Sequence, residues 1–525
     1  MDYQYFEEES DYIDLDEDED DELGEAAGGL DYRFGKPEDE EDYYMGGEEA
    51  EESDDYSHGL LGLAERFRES LLTCVEPSLL QVLQYVTPML LLCLLCRHLC
   101  LLYSQRKRLT SLAPLHLLHF ICGLILLQFS VGYRLFLLLL LAAVGYLLLQ
   151  LLRLGRQGAR ILAILTVGSQ FLYELLLWRG RSDWPQLRGI QMVVNMKLIS
   201  LGFDLTAGSG QLQARIPGSL AYLGYLYSPA TCALGPWVSF GSYMDCLVPR
   251  NSWLVSLRRL VPNVLLCVLA VIVSNCLAPA LSDFFGDSSH FLVMYWDALS
   301  VRFSHYFVAI MAQALLVAAD QKLDGSVEES PLLGPLVSQP WLIEWPRSIS
   351  ALVRSWNIPM HEWLKRYIYA PCKADGSRGR IVLSVFCTYL VSSLLHGMDL
   401  RIYLVLISLA VFAEGESLLR RHLSNTLDAC ISSNLCPGKE RCRYSRCSSK
   451  RGWSSISYWL VRAANLAFTA LAIFHLAYLG VVLLGDALEV ESSDESDNFL
   501  WHWQQAGYLS HYIGAGTFVL YLFIS

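Results

Sequence analysis

Apolar runs of membrane length recur along this chain, and they limit its possible folds more than any other feature. A helix that crosses the hydrocarbon core needs about 20 mostly apolar residues, and backbone groups cut off from water must pair within the segment. Stretches approaching that length lie at 79–103, 112–129, 132–152, 161–178, 220–240, 261–281, 291–318, 381–396, 458–484 and 507–523. With 53% hydrophobic residues and a mean hydropathy of +0.32, a string of soluble domains is excluded. The predicted fold class is an all-α multispanning integral membrane protein, a bundle of about 10–12 helices.

The net charge of −15 conceals two opposite parts. The first 60 residues hold 26 acidic side chains against Arg33 and Lys36, and the remainder carries 28 acidic and 37 basic ones. A segment so acidic and so poor in branched apolar residues buries too little surface to offset its ordering entropy, so residues 1–58 are predicted to be a disordered tail. Residues 59–78 place Leu60, Leu61, Leu63, Ala64, Phe67 and Leu71 at roughly helical spacing with charges between them, the pattern of a helix lying on a membrane surface. Residues 79–525 form the membrane domain. Basic clusters at Arg106–Arg108 and at Arg153, Arg156 and Arg160 place those loops in the cytosol, whereas Arg179 and Arg181 argue the other way. The lipid bilayer is the expected environment, and no nucleic-acid partner is expected.

The early spans are leucine-dominated, but from Ile190 onward polar side chains interrupt the apolar pattern. Lys197 and Asp204 lie two helical turns apart, and charges there must face protein or water; bracing is the expected role. Arg302, His305 and Tyr306 fall within about one turn and predict a face lining an internal cavity. Pro340, Pro346 and Pro359 break the segment 341–369 into short helices, tolerated at membrane depth where they line a cavity. Asn357 lies in that break. His396 ends the next apolar run, with Gly397 and Asp399 marking a turn and Ser392 one turn earlier on the same side.

An imidazole and a carboxamide suffice for acyl transfer to a hydroxyl. Histidine takes the proton of the attacking hydroxyl near neutral pH, worth about 10²–10⁴ in rate. An amide NH₂ stabilises charge on the thioester oxygen, more strongly where water is excluded. A lone histidine at a helix end is more often structural, so spacing alone does not assign His396.

The run Ser355-Trp356-Asn357-Ile358-Pro359-Met360 with Trp363 and Tyr367, followed by Leu394-Leu395-His396-Gly397, resembles the paired motifs of the membrane-bound O-acyltransferase family. Gln191 to Lys197 with Asp204, Tyr227-Ser228-Pro229 with Gly235-Pro236-Trp237, and Asn465 through Gly480 agree with it in order. The resemblance implies a helix bundle around a central tunnel, with the catalytic part at about 341–400. It implies transfer of a palmitoleoyl chain from palmitoleoyl-CoA, a cosubstrate, to a serine of Wnt-family secreted proteins at the endoplasmic reticulum membrane. His396 is then the general base and Asn357 positions or polarises the thioester, while Trp356, Ser392, Arg302, His305 and Tyr306 are candidates for substrate binding. No metal and no permanently bound cofactor are expected. A lysophospholipid or another secreted protein as acceptor, and a transporter or receptor of a different class, remain the alternatives.

No Gly-rich phosphate loop, HExxH or GxSxG occurs, which argues against an ATP-driven pump, a metalloprotease and a serine hydrolase. Among the 15 cysteines, Cys93, Cys96, Cys100, Cys122, Cys267 and Cys276 sit in apolar runs and are expected to be small hydrophobes. The basic loop at about 430–453 carries Cys430, Cys436, Cys442 and Cys447 without any CxxC pair, so acylated or simply reduced thiols are expected there rather than a zinc site.

Overall fold

The structure is a computed structural model that describes residues 55–105, 111–151, 156–177, 184–207, 216–286, 290–324, 329–373, 378–450, 455–484 and 500–524. The acidic tail up to residue 54, the basic cluster 106–108, Arg153, Arg179, Arg181 and the acidic loop around Asp494 lie outside the described residues. Everything regular among the described residues is helical, apart from two isolated bridges. Seven helices are long and apolar enough to cross a membrane, and two shorter apolar ones accompany them.

The first helix, α1 (Asp55–Gln105), joins the amphipathic stretch expected at 59–78 to the first span without a break. Helices α2 (Ala113–Val131) and α3 (Leu135–Leu151) are separated at Gly132, where φ is 56°. Both then reach α6 (Ser219–Leu226) and its end: Gly123 of α2 meets the carbonyl of Tyr227, and the Tyr227 hydroxyl donates to the Leu138 carbonyl of α3. Helices α4 (Arg156–Leu177) and α5 (Trp184–Ala207) pack as a pair.

The span expected at 220–240 is not one helix. After α6 the backbone is irregular until α7 (Phe240–Cys246), yet residues 225–238 are buried throughout. Pro229 and Pro236 prevent a continuous helix. Carbonyls freed at membrane depth need donors, and Lys197 of α5 supplies them: its buried Nζ donates to the carbonyls of Tyr225 (3.2 Å), Leu226 (3.0 Å) and Thr231 (3.3 Å) and to Thr231 Oγ1 (2.8 Å). Asp204 accepts from Arg366 and from the Tyr367 hydroxyl, each at 2.9 Å. Lys197 and Asp204 thus both brace other segments.

Helix α8 (Trp253–Val271) continues through a π turn into α9 (Ala278–Phe284), and Cys276 within that turn is disulfide-bonded to Cys74 rather than free. Cys93, Cys96, Cys100, Cys122 and Cys267 are buried thiols. Helix α10 (His290–Ala319) is the most enclosed span, with 89% of its apolar window buried. It is followed in the chain by the short helices α11 (Pro340–Glu344), α12 (Ile349–Trp356) and α13 (Ile358–Leu364), a π turn, and α14 (Ala370–Lys373). The remaining helices are α15 (Arg378–Leu395), α16 (Leu400–Leu427), α17 (Ile456–Gly480), α18 (Trp501–Gln505) and α19 (Leu509–Ile524).

Candidate active site

Asn357 stands where α12 stops and α13 starts, and the sequence explains the stop. Pro359 has no N–H to offer the carbonyl of Ser355, so the helix cannot run on. That carbonyl instead accepts from the Gln339 N–H (2.9 Å) and the Ser338 hydroxyl (3.1 Å). The Ile358 N–H turns to the Val337 carbonyl at 2.8 Å. Asn357 takes an extended conformation, φ −133° and ψ 92°, and its Oδ1 caps α13 by accepting the Met360 N–H at 3.3 Å. Because the oxygen is committed to that cap, the amide's Nδ2 hydrogens are the ones left to face a ligand.

Asn357 borders a small apolar cavity, lined also by Met192, Val193 and Met196 of α5, the segment Leu234–Trp237, Ala309 and Ala312 of α10, Val337 and Met360. Trp237 spends its indole N–H on Ser200 Oγ at 3.0 Å, which leaves the Asn357 amide as the polar side chain of this wall.

Arg302, His305 and Tyr306 are not among the residues that line this cavity. They share the helix face that Ala309 and Ala312 continue, but toward the start of α10, where α11 and α12 cover them. Arg302 holds Glu344 with two bonds (2.9 and 3.2 Å), Tyr306 donates to the same carboxylate at 2.7 Å, and the His305 ring stacks on Trp356 with centroids 4.8 Å apart. The His305 Nε2 lies 3.4 Å from the Trp356 carbonyl. The cluster is therefore a polar plug one residue away from Asn357, with the buried Arg302 Nη1 and Trp356 Nε1 making no hydrogen bond.

His396 is buried at 3% exposure, in the turn that ends α15. Its backbone N–H closes the helix on the carbonyls of Ser392 (3.3 Å) and Ser393 (3.2 Å). Its neighbour Leu395 belongs to one apolar cluster with Trp363 and with Met192, Met196 and Met360, and the three methionines border the cavity. His396 itself is not among the lining residues. What links it to Asn357 is α5. The Trp363 indole of α13 donates to the Met196 carbonyl at 3.2 Å; Asn195 Nδ2 donates to Gln170 Oε1 at 3.0 Å; and Gln170 Nε2 donates to the Leu395 carbonyl. Other buried histidines are engaged elsewhere, His116 with Tyr243, His119 with Ser228 and His475 with Ser510.

Four residues of this support were missed by sequence reasoning. Gln170 and Glu174, one turn apart on α4, sit in a run that reads as plain lipid-facing leucine, yet both are buried. Glu174 pairs with Arg188 at 3.4 Å and accepts the Met398 N–H at 2.9 Å, fixing the far side of the His396 turn. Glu416 accepts the Ile349 N–H at 2.7 Å and so anchors the start of α12. The signal available was polar side chains at helical spacing inside a membrane-length run.

The family described as MBOAT, membrane-bound O-acyltransferase, matches residues 125–457. The chain is 80% identical, over the full length of both, to a protein of Drosophila melanogaster named protein-serine O-palmitoleoyltransferase porcupine. It is 33% identical to the Homo sapiens protein of that name over 65% of this chain and 74% of the relative, and 30% identical to that of Anopheles gambiae over 87% and 94%.

Proposed function

The chain belongs to the membrane-bound O-acyltransferase family, and from that premise we propose that it moves a palmitoleoyl group from coenzyme A to a serine hydroxyl of Wnt-family secreted proteins at the endoplasmic reticulum membrane. The observation that carries this reading is the Asn357 amide, oriented by its cap, in the wall of an apolar cavity whose residues Met192, Met196 and Met360 share an apolar cluster with Leu395, next to His396. The substrate named for relatives at 80% and 33% identity points the same way.

The acyl chain occupies the apolar cavity, where each buried methylene contributes about 0.8 kcal/mol. Its thioester carbonyl meets Asn357 Nδ2. His396 removes the serine proton as Oγ bonds to the carbonyl carbon, and charge builds on the oxygen that the amide stabilises. Collapse breaks the C–S bond; the proton on the imidazole passes to the departing thiolate, leaving the serine ester and free coenzyme A. Arg302, His305, Tyr306 and Trp356 form the plug beside this point and shape the acceptor or thioester end of the channel, while Ser392 acts on the His396 turn through its carbonyl.

Purified full-length chain, incubated with labelled palmitoleoyl-CoA and either a serine-containing Wnt hairpin peptide or a lysophospholipid, is expected to label the peptide. Label confined to lipid would reject the acceptor, and unchanged transfer by His396→Ala would reject the base.

A further inference from the structure

We propose that Cys430, Cys436, Cys442 and Cys447 bind one zinc ion, and that this site rigidifies the loop clamping the start of the helix that delivers Asn357. Sequence spacing argues against a zinc site because no CxxC pair is present, but the fold removes that objection: the four Sγ atoms all lie within 4.8 Å of one another. Tetrahedral zinc with bonds of about 2.3 Å sets its sulfurs about 3.8 Å apart. The Cys436 and Cys447 sulfurs are 3.4 Å apart, far longer than a disulfide bond of about 2.05 Å and close to a tetrahedral edge.

The loop is built like a metal knuckle. It has almost no regular structure; its small core consists of these cysteines with Ala429, Ile431, Tyr444 and Val461. A segment with so little apolar surface needs a staple to hold one conformation. The Ser449 N–H points at Cys447 Sγ at 3.4 Å, the kind of donor that stabilises a bound thiolate. Zinc with four thiolates carries two net negative charges, and the loop carries Lys439, Arg441, Arg443, Arg446 and Lys450 against Glu440, with Asp428 beside it bonded to the Ser445 N–H. The basic surroundings therefore favour the metal. They also place the loop on the cytosolic side, where thiols stay reduced.

The carbonyls of this loop reach the catalytic region. Arg347 donates to those of Cys430 (3.1 Å) and Ser432 (3.2 Å), Arg420 to that of Ile431 (2.7 Å), and the Ser348 hydroxyl to that of Ser433 (3.2 Å). Ser348 is the N-cap of α12, and Asn357 is the residue at its other end. On binding, the four thiols release their protons and the loop and its carbonyls become fixed.

Metal analysis of the detergent-purified full chain by plasma mass spectrometry is expected to find close to one zinc per chain. The double substitution Cys430→Ser/Cys447→Ser should lower this by roughly tenfold or more, while Cys96→Ser/Cys100→Ser, in the three-residue cluster with His119, should leave it unchanged. If the first variant does not fold, mercurial titration of the wild type in the presence of a chromogenic zinc chelator gives the same answer, with release of one zinc as these thiols react. Background metal only, zinc unchanged in Cys430→Ser/Cys447→Ser, zinc lost with Cys96→Ser/Cys100→Ser, or recovery of the four cysteines as disulfides would overturn the proposal.

Discussion

Gln170 donates its side-chain amide to the carbonyl of Leu395, the residue before His396, although the two are 225 positions apart. The same carboxamide accepts from Asn195, so one side chain of α4 holds the turn of the histidine to α5. Gln170→Ala leaves a buried carbonyl and a buried amide unpaired, at about 1–3 kcal/mol for each group. A displacement of the base by about 1 Å costs roughly 10²-fold in rate. The expected outcome is a fall in kcat of that order with KM for palmitoleoyl-CoA little changed, measured by peptide acylation; an equal loss through KM alone would contradict a positioning role.

Gly397 has φ 83°, and a Cβ there would run into the Glu174 carboxylate and Arg188 Cδ. Only glycine fits both the conformation and the space. Gly397→Ala is expected to lower stability by about 1–3 kcal/mol and to displace Glu174 from the Met398 N–H. Thermal unfolding followed by fluorescence checks this. A variant as stable and as active as wild type would show the turn to be slack.

How much of this was readable in advance depended on whether a residue's partner lay nearby in the chain. Asn357 and His396 announced themselves as polar groups in apolar runs next to a proline and a glycine, and the broken helices at 340–364 followed from Pro340, Pro346 and Pro359. Gln170 and Glu174 did not, because the partners that tie them to the histidine turn, Leu395 and Met398, are more than 200 residues away and helical periodicity does not say which face of a span meets protein. The segment 220–240 reads as a span by hydropathy; its irregular backbone is possible only because Lys197, from another helix, satisfies it. Arg302, His305 and Tyr306 are buried together, but the side chain that engages Arg302 and Tyr306, Glu344, had no pattern to mark it.

Asn357 has two separable duties, capping α13 through Oδ1 and presenting Nδ2 to the cavity. Asn357→Asp keeps an acceptor for the cap, and negative charge suits a helix start, but it loses the amide donor. Asn357→Ala loses both, with about 1 kcal/mol of capping. Acyl transfer should therefore fall by roughly 10²–10³ in both variants, while only the alanine variant melts earlier. If Asn357→Asp transferred acyl groups at the wild-type rate, the amide would be structural only.

Lys197 distinguishes bracing from substrate contact in the same way. Its ammonium is buried and bonded to three carbonyls and a hydroxyl of the 225–231 segment, which runs directly into the cavity wall at Leu234–Trp237. Lys197→Met removes every one of those donors, and unpaired buried carbonyls cost about 1–3 kcal/mol each. A loss on the order of several kcal/mol leaves little of a margin of about 5–15 kcal/mol. The variant is expected to be recovered in low yield and to melt well below wild type in detergent, with transfer lost in proportion to folded protein. A lysine that served the phosphates of coenzyme A would behave differently: the Met variant would fold normally, and only KM for the acyl donor would rise.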